Sequence, residues 1–379
     1  MKVIILSSFY PPAFKAGGPI RSVSNMVNLL QSKLDFVIIT SNEDLGGEEL
    51  PLIDENAWYS DPQRIYLREK GFSGKLNFFR QIFENSSSVD ILYMNSLFSF
   101  RHCFLVLLLY KLKLLRLSRL VIAPRGQLIN EAFKAKYAKK YFFVSLIRLL
   151  GLNKNVVFHA TSNEEALAIN SVFDNEVVLC PTIPSYNLLE HVAVSNKVRN
   201  QLRCVYSARI HPHKNLFYIL ERIRDASKAG VDLSLDVYGV REDESYFDMC
   251  IQFINDNGLT VVFHGAVSHS LLAEALPKYD LFVLATLSEN FGHSIAEALS
   301  LGLPVLISDR TPFRDLASEG VGFDVSLDEP TKFVDGLHYF CALEEQDMTV
   351  IGRECKAFMG SSSNLPDIES SYLKLFKVI

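Results

Sequence analysis

Glu289 and Glu297 stand eight positions apart in Ser288-Glu289-Asn290-Phe291-Gly292-His293-Ser294-Ile295-Ala296-Glu297-Ala298-Leu299, just after the apolar run Leu281–Leu284. Ionised carboxylates accept hydrogen bonds and donate none, so such a pair suits a ligand rich in hydroxyls. Along a helix the two would lie about 12 Å apart, and closer if Glu289 precedes it. That span matches the distance from a sugar ring to a ribose on one nucleotide-sugar: Glu289 could take sugar hydroxyls and Glu297 the ribose. A helix opening near Gly292, capped by Asn290 or Ser288, would turn its positive end toward a diphosphate. An arbitrary pair of glutamates is more often a cap and a solvated helix position. Here Ala296, Ala298 and Leu299 flank Glu297, and a carboxylate among apolar neighbours needs a partner.

A second cluster is Ser207-Ala208-Arg209-Ile210-His211-Pro212-His213-Lys214-Asn215-Leu216, between the apolar run Cys204–Tyr206 and a helical pattern from Asn215. Arg209 and Lys214 near the end of a buried strand could neutralise a diphosphate leaving group as its charge develops. A third is Gly17-Gly18-Pro19-Ile20-Arg21, where two glycines allow a positive φ and close approach to a phosphate, and Arg21 adds a cation. A glycine pair is equally the mark of a plain turn. Arg125, in Pro124-Arg125-Gly126-Gln127-Leu128, follows the run Leu120–Ala123 and is placed to bind acceptor or phosphate.

These residues need a scaffold that brings strand ends together. The runs Val3–Leu6, Phe36–Thr40, Ile91–Tyr93 and Leu120–Ala123 alternate with helical stretches such as Arg21–Leu30, the rhythm of βα units and a parallel sheet. A polar stretch after Pro181 and Pro184 reads as a linker, and the rhythm restarts at Cys204–Tyr206. Leu233–Tyr238, Val261–Phe263, Leu281–Leu284 and Val305–Ser308 then read as strands of a second doubly wound domain. The expectation is α/β, with domains at 1–186 and 201–365 and a terminal helix at about 366–379 packing back on the first. At 379 residues, 49% apolar and 21% charged, the chain can bury two cores.

The Arg209/Lys214 and Glu289/Glu297 spacings and the Gly17-Gly18 loop resemble the retaining glycosyltransferases of the GT-B fold, of the family 4 or group 1 type. Phe263-His264-Gly265, Tyr279-Asp280-Leu281-Phe282-Val283 and Gly302-Leu303-Pro304-Val305 strengthen the likeness, which is densest from Val205 to Leu316. The resemblance implies two Rossmann-like domains facing across a cleft and a nucleotide-sugar donor, UDP-sugars foremost, with GDP- and ADP-sugars as alternatives. It implies that Arg209 and Lys214 bind the donor diphosphate, Glu289 the sugar and Glu297 the ribose, with Asn290 and the amides of Phe291, Gly292 and His293 completing the donor seat. Gly17 and Gly18 would approach the donor, and Arg21, Asn95 and Arg125 the acceptor. Many relatives carry a histidine where Leu92-Tyr93-Met94-Asn95-Ser96 has Asn95, and Asn95 cannot act as a base. A front-face route, in which the leaving phosphate deprotonates the acceptor, needs no protein base.

No metal or other cofactor is expected: no Asp-x-Asp is present, and His211, His213 and His264 lack a carboxylate at ligand spacing. The six cysteines are scattered, fitting a reducing cytoplasm, and Val3–Leu6 is too short for a signal peptide. A dinucleotide-dependent oxidoreductase is disfavoured because Ser7-Ser8-Phe9-Tyr10-Pro11-Pro12 lacks G-x-G-x-x-G. A nucleotide-sugar epimerase and a non-catalytic membrane-associated scaffold remain as rivals. From Arg101 to Arg148 eleven Lys or Arg face Glu131 alone, a formal +10 that leaves −15 for the remainder of the chain. One helix is expected between Phe104 and Leu120. With the aromatic and basic mixture at Phe133–Phe143, segment 104–143 is expected to make peripheral contact with an anionic membrane at its inner face, where a lipid-linked or polysaccharide acceptor would be met. Nucleic acid is not expected as a partner.

Overall fold

The computed structural model describes residues 1–50, 58–59, 63–67, 71–86, 90–129, 137–185, 197–362 and 365–378. The chain divides into two compact units, Met1–Ile183 with Leu365–Ile379, and Pro184–Asn364.

In the first unit the β-branched runs form β1 (Lys2–Leu6), β2 (Asp35–Ser41), β4 (Gln63–Leu67), β5 (Ile91–Met94), β6 (Arg119–Ile122), β7 (Val156–Ala160) and β8 (Glu176–Leu179), with β3 (Trp58–Tyr59) at one edge. Among the described residues they make one sheet in the order β3-β4-β2-β1-β5-β6-β7-β8, parallel except for β3 against β4. β1, β2, β5 and β6 are buried almost throughout, as expected of strands covered on both faces. The Gly18–Leu30 helix lies after β1 and buries Ile20, Val23, Met26, Val27 and Leu30, a stripe at helical spacing.

The second unit contains β9 (Gln201–Ser207), β10 (Asp232–Tyr238), β11 (Val261–Gly265), β12 (Leu281–Leu284), β13 (Val305–Ser308) and β14 (Gly322–Val325). All pairings are parallel and the order is β11-β10-β9-β12-β13-β14. Each unit is therefore a doubly wound α/β sheet of the Rossmann kind. In both, the strand order reverses beside the first strand, between β1 and β5 and between β9 and β12, which is where open α/β sheets bind ligands beyond the carboxyl ends of their strands.

The terminal helix, Leu365–Leu375, belongs to the first unit although it follows the second in sequence. Tyr372, Leu375 and Phe376 are fully buried. The Phe376 ring packs against Phe36 and Tyr93, and Tyr372 donates to the Pro181 carbonyl at 3.1 Å.

The single helix expected over Phe104–Leu120 does not form. A π-helical segment at Phe100–Leu105 runs into an α-helix that ends at Lys111, the chain reverses through Lys113 at φ 59°, and β6 begins at Arg119. The left-handed turn at Lys113 ends the helix early and carries the chain back, so that Arg119–Ile122 lie beside β5 and Leu120–Ile122 beside β7. Of the Phe133–Phe143 stretch, positions 133–136 lie outside the described residues; the remainder opens the Tyr137–Leu149 helix. The linker positions 186–196 lie outside them as well.

Candidate active site

The reversal point of the second sheet brings together the two loops that sequence spacing singled out. One leaves β9 at Ser207 and carries Arg209 through Lys214. The other leaves β12 at Leu284 and carries Leu287 through Gly292. They are stitched to each other: Leu287 N donates to the His213 carbonyl at 2.9 Å, and the Thr286 hydroxyl donates to the same oxygen at 3.3 Å. The His213 ring, through Nε2, donates to the Ser288 carbonyl at 3.2 Å, with the Ser288 hydroxyl 3.1 Å away. Burial, followed by the Lys214 charge, lowers the His213 pKa, so its ring is neutral near pH 7.

Lys214 forms an ion pair with Glu289, with side chains 15% and 13% exposed. A cation after one strand and a carboxylate after another thus neutralise each other at the sheet's reversal point. Arg209 is paired separately, donating from Nη1 to Glu242 at 2.6 Å. Both of those side chains are partly exposed, so that pair is cheap to open.

The His293–Ser300 helix begins as expected, but neither Asn290 nor Ser288 caps it. The cap position is Gly292 at φ 85°, with no side-chain cap hydrogen bond. The physical reason is backbone conformation: a left-handed residue is needed where the loop turns into the helix, and glycine adopts it without strain. The amino end of this helix, with Phe291, Gly292 and His293, lies beside the loop bearing Glu289, and Asn290 sits between them.

Glu297 is not solvated. It lies in the middle of the helix at 3% exposure, between the buried Ala296 and Ala298. The partner that its apolar setting demands is His269, whose Nε2 donates to the Glu297 carboxylate at 3.0 Å. His269 opens the His269–Ala275 helix after β11 and was not among the expected site residues, and neither was Glu242. Both are joined to their partners by tertiary contact across 28 and 33 positions. The sequence signal within reach was the unmet need of Glu297.

In the first unit, Gly17 has φ 68° and caps the Gly18–Leu30 helix, with Gly18 its first residue and Arg21, half-buried, in its first turn. Asn95 follows β5 and is turned inward. Its Nδ2 lies 3.4 Å from both the Ser7 hydroxyl and the Pro19 carbonyl, and its Oδ1 accepts from Arg125 Nε at 2.8 Å. Arg125 is drawn into the unit as well: Nη2 donates to the Tyr93 hydroxyl at 2.9 Å, and the guanidinium also meets Tyr372 of the terminal helix. Its Nη1 is buried without a hydrogen-bond partner among the described residues. The chain continues beyond: Tyr93 donates to His159 Nδ1 at 2.8 Å, and His159 Nε2 donates to the Cys180 carbonyl at 2.9 Å. Burial, with Arg125 nearby, drops the His159 pKa to about 3, so the ring is neutral and this assignment of donors is self-consistent.

The histidines that raised the metal question are engaged elsewhere: His211 Nδ1 accepts from His213 N at 3.1 Å, and His264 donates to Asp236 at 2.9 Å. Among the described residues no group of three or more His, Cys, Asp or Glu is placed to hold a metal ion. The six cysteines are buried and free.

This geometry, two stitched loops at a sheet reversal with Lys214 paired to Glu289 and Glu297 buried in the helix that follows, coincides with a family match. Residues 189–353 match the model of the Glycosyl transferases group 1 family. A curated relative, the GtfA subunit of UDP-N-acetylglucosamine–peptide N-acetylglucosaminyltransferase from Streptococcus pneumoniae, is 23% identical over 41% of this chain, and the match spans 27% of that relative's length. An uncharacterized 41.2 kDa protein in the cps region of Klebsiella pneumoniae is 20% identical over 76% of this chain and 78% of its own. Among solved structures, Anabaena Alr3699/HepE in complex with UDP-glucose matches with a TM-score of 0.73 at 14% identity, over the whole of both chains. That likeness identifies the fold of the group 1 domain and its companion as GT-B.

Proposed function

We propose that the protein is a retaining, family 4-type glycosyltransferase that moves a hexose-type sugar from a nucleotide-sugar, UDP-sugars foremost and GDP-sugars next, to a saccharide or lipid-linked acceptor in assembly of a bacterial surface polysaccharide. The observation that carries it is the meeting of Lys214 with Glu289 at the reversal point of the donor-domain sheet, with Glu297 buried nearby in the same unit. Arg209 and Lys214 bind the diphosphate and stabilise the charge that develops on it; Glu289 accepts from the sugar and Glu297 from the ribose. In the transfer, the bond between the anomeric carbon and the phosphate oxygen breaks while the acceptor hydroxyl oxygen bonds to the same face of that carbon. The acceptor proton passes to the leaving phosphate oxygen, and a nucleoside diphosphate departs. Fixed cations do the electrostatic work in this reading, and it asks for no metal and no other cofactor. Asn95 and Arg125 are bonded to each other inside the first unit and serve acceptor binding by holding the shape of the acceptor lobe.

Support comes also from the relatives. The S. pneumoniae relative is named for a UDP-N-acetylglucosamine donor, the Anabaena protein holds UDP-glucose, and the Klebsiella relative lies in a cps region. The test is release of free UDP or GDP measured with and without added saccharide acceptors, after a thermal-shift screen of UDP-, GDP- and ADP-sugars has chosen the donor. Acceptor-dependent release is expected. Sugar interconversion without it would make the protein an epimerase, and no turnover a scaffold.

We also propose a peripheral membrane contact, on a surface that differs from the one sequence suggested. Phe104 and Phe143 pack against each other inside the first unit. Instead Tyr141, Phe142, Leu149, Leu112 and Leu114 are exposed, Leu149 by 85%. Lys111 donates to the Leu150 carbonyl and joins the two segments, with Lys113, Lys139, Lys140 and Arg148 around them. From 100 to 154 no described residue is acidic. Exposed apolar side chains set among positive charges suit an anionic bilayer, and among the described residues no helix is long and apolar enough to cross one. Flotation with liposomes containing phosphatidylglycerol should be seen at low salt and fade with added salt; no flotation at low salt refutes the contact.

A further inference from the structure

Glu297 presents a difficulty to any ligand that would use it. A carboxylate 3% exposed cannot grip a pair of ribose hydroxyls as it stands, because its oxygens are covered. One of them, Oε1, accepts from His269 Nε2. His269 differs from the groups around it in being free to leave: its side chain is 38% exposed, while Ile295, Ala296 and Ala298 beside Glu297 are core. It also sits at the first residue of the helix that Ser268 caps. Rotation about its own side-chain torsions leaves the helix backbone unchanged, so the ring can move aside without cost to the helix.

We infer that His269 is a gate on the ribose seat: in the empty site its ring N–H stands in for a ribose hydroxyl, and nucleotide binding swings it aside and hands the carboxylate to the diol. The inference rests on the assignment of Glu297 to the ribose. The gate costs affinity, since the nucleotide must replace a charge-assisted hydrogen bond already made, and it keeps a buried carboxylate partnered between turnovers. A ligand lacking the diol has no use for Glu297 and leaves the gate shut. His269 is therefore a positioning and selecting residue.

The test is calorimetric titration of the nucleoside diphosphate bound best among UDP, GDP and ADP, together with its 2′,3′-dideoxy analogue, against wild type, His269→Ala and His269→Gln. His269→Ala should bind the ribonucleotide about tenfold or more tighter than wild type, the gain from removing one competing hydrogen bond to a charged group. It should bind the dideoxy analogue unchanged. His269→Gln keeps a donor and should stay within twofold of wild type. Unchanged or weaker ribonucleotide binding by His269→Ala overturns the gate, and so does an equal gain in His269→Gln, which would place the effect in ring bulk. Wild type binding both nucleotides equally would instead remove the ribose role of Glu297, and no nucleotide binding at all would remove the donor site; either takes the gate with it.

Discussion

Replacing Lys214 by Met and Glu289 by Gln, singly and together, tests the central contact of the proposed donor site. Each single change strands a charge whose partner has gone. For a fully exposed ion pair the loss would be about 0.2–1 kcal/mol, and for a fully buried one about 3–5 kcal/mol. With side chains 15% and 13% exposed, the pair lies between, and each single substitution should cost ~2 kcal/mol. The second unit spans Pro184–Asn364, a size at which that loss lowers the melting temperature by about 4–8 °C. The double variant strands nothing and should lose little more than either single one, leaving a coupling of about 1.5–2 kcal/mol. Urea and thermal unfolding, read on the transition that nucleotide shifts, measure all four proteins. Transfer should follow a different pattern: Lys214→Met should weaken nucleotide binding, whereas Glu289→Gln should leave it largely intact and stop sugar transfer. The less-than-additive stability loss of the double variant should bring no recovered activity. Stability losses that add within about 0.5 kcal/mol would refute the pairing, and wild-type turnover in Glu289→Gln would refute the sugar role.

The buried His159 gives a pH prediction. Its pKa is about 3 in the fold against 6.5 for the free side chain. Between these values the unfolded chain binds a proton that the folded chain refuses, so stability is fully present above pH 6.5 and falls as pH drops toward 3. The slope from this group is roughly 1.4 kcal/mol per pH unit. Urea unfolding of wild type and His159→Gln from pH 7 to 4 should differ by that slope, and parallel curves would show that the ring is protonated in the fold. On the basic surface, Phe142→Ser with Leu149→Ser should reduce liposome flotation by an order of magnitude or more, at about 1.5–3 kcal/mol per apolar side chain buried in lipid. Unchanged flotation would place the contact elsewhere.

Much of the scaffold was legible because strand and helix patterns are local. Val3–Leu6, Phe36–Thr40, Leu281–Leu284 and Val305–Ser308 all lie in strands of the sheets, since a β-branched or apolar run between polar turns has little else to become. The loops after β9 and β12 were legible for the same reason, being what lies between a strand and a helix. Helical spacing misled at Phe104–Leu120, where leucines fit a helix but the chain turns back at Lys113 and Arg119–Ile122 lie in the sheet. The cap at Gly292 was misjudged because side-chain capping is the commoner solution, and the left-handed turn required there is a property of the loop's path.

What the residue order determined by itself was the set of groups available: two cations after one strand, two carboxylates after another, a +10 segment and Asn95 after a third strand. What only the tertiary structure decided was who meets whom. Lys214 faces Glu289 across 75 positions because β9 and β12 are neighbours at the sheet's reversal point. Arg125, which sequence offered as a group to bind acceptor or phosphate, turns inward because Asn95, Tyr93 and Tyr372 wait there, the last on a helix from the far end of the chain. Glu297 announced its need for a partner through its apolar neighbours, yet nothing along the chain could say that the partner was His269. Local pattern is set by the near neighbours of each residue, whereas pairing of charges depends on the order in which strands are laid side by side.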